Sequence, residues 1–168
     1  MTENLLNTVG QSLVAIGLYT VAFESMVLSF RAQMQGYLTT NEPDSLPVFL
    51  KACETADKTL KFCEPRLIRA GILDQAETAA LVTVRRRRNT MAHEGYNQML
   101  TLTVKDIEDD VALMFGISQK VEQWRQATRR PNADGSIPFS IAPSIFGLYL
   151  SAAQELGRTK LKAELGSG

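Results

Sequence analysis

Histidine is nearly missing from this chain: His93 is the single one in 168 residues. A reaction that needs two imidazoles would have to take the second from another copy of the chain. Cysteine is scarce as well. Cys53 and Cys63 lie ten positions apart on what reads as one helix. That spacing is about 15 Å along the axis, too far for a disulfide. Both read as buried thiols in a reducing cytosol. One histidine and two separated thiols give no zinc-ligand spacing, so no metal is expected. Net charge is absent too, with 18 basic and 18 acidic residues. This excludes a protein that binds nucleic acid through a wholly basic surface and leaves room for a local basic groove. There is no Walker-type loop, no Ser-His-Asp set and no carboxylate pair at a signalled site. Glu108-Asp109-Asp110 reads as the solvated face of a helix. The first residues carry Glu3 and neither Lys nor Arg, so the basic start of a secretory leader is lacking. Ser12 to Phe30 is strongly apolar, but Glu24 sits inside it and Arg31 follows. A charge near mid-span is costly in lipid, which favours a buried helix over a membrane anchor and a cytoplasmic location.

What is present is helical periodicity. Residues 1–165 read as a single all-α domain of about five helices, with 166–168 as a flexible tail. The first helix covers about Asn4 to Leu38, with Leu6, Val9, Leu13, Ile16, Val21, Val27, Phe30 and Met34 as its apolar face. A loop over Thr39–Ser45 precedes a second helix from Leu46 to Glu64, with Phe49, Cys53, Ala56, Leu60 and Cys63 inward. Pro65 interrupts it, a short turn runs from Arg66 to Ala70, and Gly71 suits a position just past a helix end. Asp74 and Glu77 resemble a capping box opening the third helix. Asn97–Thr101 is a connector. Thr103 and Asp106 signal a fourth helix to about Arg129, with Ile107, Val111, Met114, Ser118 and Val121 on one face and Trp124 beside it. Trp124 and Phe23 read as core, since no aromatic cluster accompanies the basic run. A turn at Pro131–Ser136 leads to a last helix over Ala142–Leu165, with Ile145, Leu148, Ala152 and Leu156 inward.

The third helix carries Arg85-Arg86-Arg87-Arg88 and then Asn89 and His93. Four consecutive helical residues cover about 300° of circumference, so these arginines cannot share one solvated face. With Leu73, Ala80, Val84 and Met91 facing inward, Arg88 and Arg87 fall at the two edges of the apolar arc and Arg86 points away. An inward guanidinium needs an acid or a wet groove. Glu24, unusual in its apolar helix, is a candidate partner for Arg88, as structural glue or as an accessory of a site. Asn89 and His93, four apart, share a flank. Arg88 lies about 140° from His93 on a straight helix. Their cooperation predicts a bend or an end near His93, with Gly95 as terminator, and a groove there.

Arg88-Asn89-x-x-Ala92-His93 at the end of a charged helix resembles the HEPN superfamily, whose signature is Arg, four to six residues, then His. The all-α layout is compatible over most of the chain. The resemblance implies a metal-independent endoribonuclease, commonly a toxin or defence effector in a toxin–antitoxin pair, with no cofactor. It also implies a homodimer whose two motifs build one composite site, and an antitoxin or regulatory protein as partner. Carried over residue by residue, it makes Arg88, Asn89 and His93 catalytic. The nucleotidyltransferase-paired toxins of the family have a Tyr two residues after the His. Here Tyr96 comes third, which departs from that pattern and counts against a modification role, and Tyr96 stands with Glu24 as an accessory candidate of the site.

The chemistry follows independently. RNA cleavage by its own 2′-OH needs a base for that hydroxyl, an acid for the leaving 5′-oxygen and positive charge on the phosphorane. Two copies of His93 can share the proton transfers and two copies of Arg88 can clamp the phosphate. Asn89 can orient an imidazole, and Arg85 and Arg87 are candidates for flanking phosphates of the RNA. The rival expectation is a non-catalytic HEPN-like helical module that binds a nucleotide, RNA or a partner protein. A third is a small helical regulatory subunit, with His93 capping a helix C-terminus.

Overall fold

Forty residues without a proline let the chain open on one long helix, α1 (Thr2–Asn41). The structure, a computed structural model, describes the backbone of residues 2–98 and 102–129 and the side chains of 8–94 and 102–129. The expected turn at Pro131–Ser136, the last helix, the tail and the side chains of Leu6 and Tyr96 lie outside what is described. Four further helices follow: α2 (Leu46–Ala52), α3 (Ala56–Arg69), α4 (Gln75–Gln98) and α5 (Glu108–Ala127), with no strand among the described residues. The fold is an all-α bundle.

α1 is the central helix. It buries Ser12, Ala15, Tyr19, Phe23, Met26, Phe30, Met34 and Leu38 against the other helices. The face expected from its sequence is only partly right. Val27, Phe30 and Met34 are inside, whereas Leu13 and Val21 are 49% and 42% exposed. A helix that is apolar all round has no face fixed by apolar count. The large rings of Tyr19 and Phe23 gain more by burial than a valine does, and they set the rotation. By length and composition α1 is also the one described helix that could cross a membrane.

α1 runs on through Thr39–Asn41, expected as loop, and the next two boundaries also differ from expectation. The segment Leu46–Glu64 is not one helix: it breaks at Cys53 (φ −94°, ψ 51°). Thr55 then caps α3, its hydroxyl accepting from the Lys58 N–H at 3.3 Å. Pro65 does not stop α3, which continues to Arg69. Proline lacks the N–H for its own helical bond, but Pro65 faces solvent while Cys63, Glu64 and Leu67 are buried around it. Tertiary packing outweighs the local cost. Cys53 and Cys63 therefore sit on separate elements, both buried and both free thiols. Burial pushes the Cys63 thiol up to about 12.

The helix-end signals at Gly71, Asp74–Glu77 and Thr103–Asp106 hold. Gly71 has φ +72°, where only glycine is unstrained. The N–H groups of Ile72 and Gly71 reach back to the carbonyls of Leu67 and Ile68 at 2.9 and 3.0 Å, closing α3 with a Schellman motif. Asp74 accepts from the Glu77 N–H at 2.8 Å and Glu77 from the Asp74 N–H at 3.2 Å. Thr103 donates its N–H and hydroxyl to Asp106 at 2.7 and 2.6 Å, opening a single 3-10 turn before α5. Those bonds, the side-chain one first, hold the Asp106 carboxyl below its ordinary range.

α1 and α5 run parallel. Ser12 donates to the Leu102 carbonyl, Tyr19 to Asp110, and Arg125 to the Gly36 carbonyl at 2.9 Å. The rings of Tyr37 and Trp124 sit 4.7 Å apart near the top of this pair. Gly36 makes the last contact possible, since a Cβ there would lie 3.0 Å from the Arg125 Nε. As expected, Met114, Ser118 and Val121 face inward on α5 and Ile107 does so on the turn before it, while Val111 is half-buried. α4 runs antiparallel to α5, with Glu77 paired to Lys120 and Arg87 to Asp110. α3 and α4 are joined by the turn at residues 70–74 and tied by Arg85 to Glu64.

Candidate functional site

The four arginines of α4 fan out around the helix, and three of them meet acids on three different helices. Arg85 donates from Nη2 to both carboxylate oxygens of Glu64 on α3 at 2.9 and 3.0 Å. Arg87 donates to Asp110 on α5 at 2.8 Å and to the Asp106 carbonyl at 2.9 Å. Arg88 donates to Glu24 on α1 at 2.7 Å, with its guanidinium 5.5 Å from the Phe23 ring centroid. The expected Glu24–Arg88 pair is thus formed. Arg86 has no acidic partner among the described residues and is exposed.

These pairs explain each other. Glu64 is buried, which pushes its carboxyl above the ordinary range, and the Arg85 guanidinium opposes that rise. Asp110 was expected on a solvated face, but it is half-buried and joins Arg87 to Tyr19. The Tyr19 hydroxyl lies 3.1 Å from both Asp110 and the Val84 carbonyl. Burial first, and then the Asp110 charge, raise its pKa, so the hydroxyl stays protonated and donates. Glu108 and Asp109 do face solvent.

Opposite the arc of Leu81, Val84 and Met91, the outer face of α4 and the flank of α3 enclose an open groove of about 590 Å³. Asp57 and Lys61 line it from α3. Val82, Arg85, Arg86, Asn89, Thr90, His93 and Glu94 line it from α4. His93 and Asn89 are exposed and share the groove, as their four-residue spacing requires. Arg88 is not in it. The expected bend or end near His93 does not occur: α4 stays helical through Gly95 to Gln98. The expectation fails because a glycine inside a helix is a cost of about 1 kcal/mol and not by itself a stop. Arg88 therefore keeps its separation of about 140° from His93. Its one link toward the groove is a 3.3 Å hydrogen bond from Nη1 to the Asn89 side-chain oxygen.

Of the two arginines expected on flanking phosphates, Arg85 lines the groove but is committed to Glu64, and Arg87 lies on the α5 side. Sequence reasoning missed Arg86, Lys61, Asp57 and Thr90. The signal for Arg86 was available. The wheel that sends it away from the core sends it to the face that carries His93, seven residues on. Lys61 and Asp57 needed the α3–α4 packing to be found. The groove brings together an accessible imidazole, an amide, a hydroxyl, unpaired cations and two exposed carboxylates, Asp57 and Glu94. Among the described residues no three of His, Cys, Asp and Glu gather as a metal site. No family model matches this chain, and neither a curated protein nor a solved structure shows significant similarity to it.

Proposed function

We propose that this chain is a metal-independent endoribonuclease of the HEPN type, a cytoplasmic toxin or defence effector that acts as a homodimer. The single observation that carries this reading is the presentation of His93. The imidazole stands exposed in an open groove, and among the described residues no side chain or carbonyl bonds it. A capping or core histidine would have such a bond.

In the proposed reaction the RNA 2′-OH attacks the adjacent phosphorus as a base takes its proton. The bond to the 5′-oxygen breaks as an acid protonates that oxygen, leaving a 2′,3′-cyclic phosphate and a 5′-hydroxyl. One imidazole does not readily serve both transfers in a single step, so His93 from each of two copies takes one role. Within one copy Arg88 holds Asn89 and is itself held by Glu24. Across a dimer axis its half-exposed guanidinium is available to the phosphate bound at the other copy's His93. Wild-type protein is expected to degrade total RNA with or without a chelator. His93→Ala, on an exposed and unbonded position, should lose at least a hundredfold in rate with an unchanged melting temperature. Retained cleavage in that variant refutes the reading.

A second reading draws on the Arg88–Glu24 pair. A guanidinium already engaged by a carboxylate has less to offer a phosphate, as in a helical module that binds RNA, a nucleotide or a partner without cutting. RNA binding by the wild type with no cleavage by wild type or variant identifies that case.

A further inference from the structure

We infer that the end of the groove nearest the α3–α4 turn is a phosphate seat formed by Lys61 and Arg86. It anchors a flanking phosphate of single-stranded RNA while His93 faces the scissile one. The inference rests on the nuclease reading and names the substrate's path within it.

Of the four consecutive arginines, three are neutralised by Glu64, Asp110 and Glu24. Arg86 and Lys61 are exposed, line the same groove and have no ion-pair partner among the described residues. The Glu64–Arg85 pair sets the register of α3 against α4, and from it Lys61 and Arg86 lie three residues and one residue along their helices, and Asp57, His93 and Glu94 seven, eight and nine. On α3, Lys61 is one helical turn closer to the connecting turn than Asp57. On α4, Arg86 is two turns closer to it than His93 or Glu94. The two free cations therefore share one end, and the carboxylates Asp57 and Glu94 share the other with the imidazole. Asp57 and Glu94 offset the attraction for a phosphate at His93, so the strand's anchoring charge has to come from the Lys61–Arg86 end.

Arg86 and His93 point the same way, about 10.5 Å apart along the axis. A strand laid lengthwise on α4 spans both. The Asn89 amide lies between them to meet its backbone, whereas the Thr90 hydroxyl donates to the Arg86 carbonyl at 3.1 Å. The groove volume of about 590 Å³ accommodates a nucleotide or two in extended form.

The test separates binding from cutting. In a His93→Ala background, binding of a short fluorescein-labelled single-stranded RNA is followed by anisotropy over a range of salt. Arg86→Ala and Lys61→Ala should each make the plot of log affinity against log salt shallower by about 0.7, and the double variant by about 1.4. Arg86→Lys should restore the slope, since the seat needs charge, and Lys51→Ala, outside the groove, should leave it unchanged. If the double variant keeps the parent slope and affinity, the seat is refuted, while loss of cleavage in His93→Ala still supports the nuclease. If His93→Ala protein cuts RNA, the nuclease reading falls, and the slopes still decide the seat. If the parent binds no single strand, the seat is refuted outright.

Discussion

Arg85 shows how little a residue's type says before its neighbours are known. It was read as a phosphate contact and is the counter-ion of a buried glutamate. Removing one partner of such a pair strands the other charge, a cost of about 3–5 kcal/mol, whereas replacing both is far milder. Arg85→Ala should therefore lower thermal stability sharply, and Arg85→Ala combined with Glu64→Gln should recover most of it. The pH dependence has a definite sign. Burial raises the Glu64 carboxyl in the folded chain, so between its unfolded and folded pKa the native state holds more protons than the unfolded one. Stability from this group falls as pH rises through that window. Without Arg85 the carboxyl rises further, so the variant's deficit should shrink on acidification, as calorimetry at several pH values would show. The imidazole, the amide four residues before it and the Glu24–Arg88 pair were all legible in the sequence. The Glu64–Arg85 pair was not, because it joins two helices whose relative rotation no periodicity fixes.

At the scale of the element, caps were read well and interiors less so. Asp74 with Glu77, Gly71, and Thr103 with Asp106 act through bonds within a few residues, which spacing alone determines. Asp74→Ala should cost about 1 kcal/mol by denaturant titration, the usual price of an N-cap. The face of α1, the break at Cys53 and the passage through Pro65 depend on what lies across the interface, and there the expectations failed. Gly17 gives a test of the same principle. It is helical, and a Cβ built on it meets nothing within 4 Å. Gly17→Ala should therefore raise stability by about 1 kcal/mol through helix propensity alone. A loss instead would mean that another surface lies against that side of α1.

The whole molecule is organised by contacts that the sequence could not order. α1 and α5 are the first and last described helices, yet they lie side by side and parallel. Their tie points are 85 to 91 residues apart, as in Thr40 with Arg125 and Tyr19 with Asp110. A simple up-and-down bundle earns its contacts locally; this one must close a long loop first, and that slows folding. During synthesis α1 leaves the ribosome first, with the side of it that carries Tyr19 and meets α5 still uncovered. Roughly 70 further residues must be translated before α5 emerges, which at 5–20 residues per second is several seconds to over ten. A nascent chain halted short of residue 108 should thus carry this side of α1 unshielded, a target for holdase chaperones. Ribosome-bound chains of increasing length should lose chaperone crosslinks to α1 once α5 has cleared the exit tunnel.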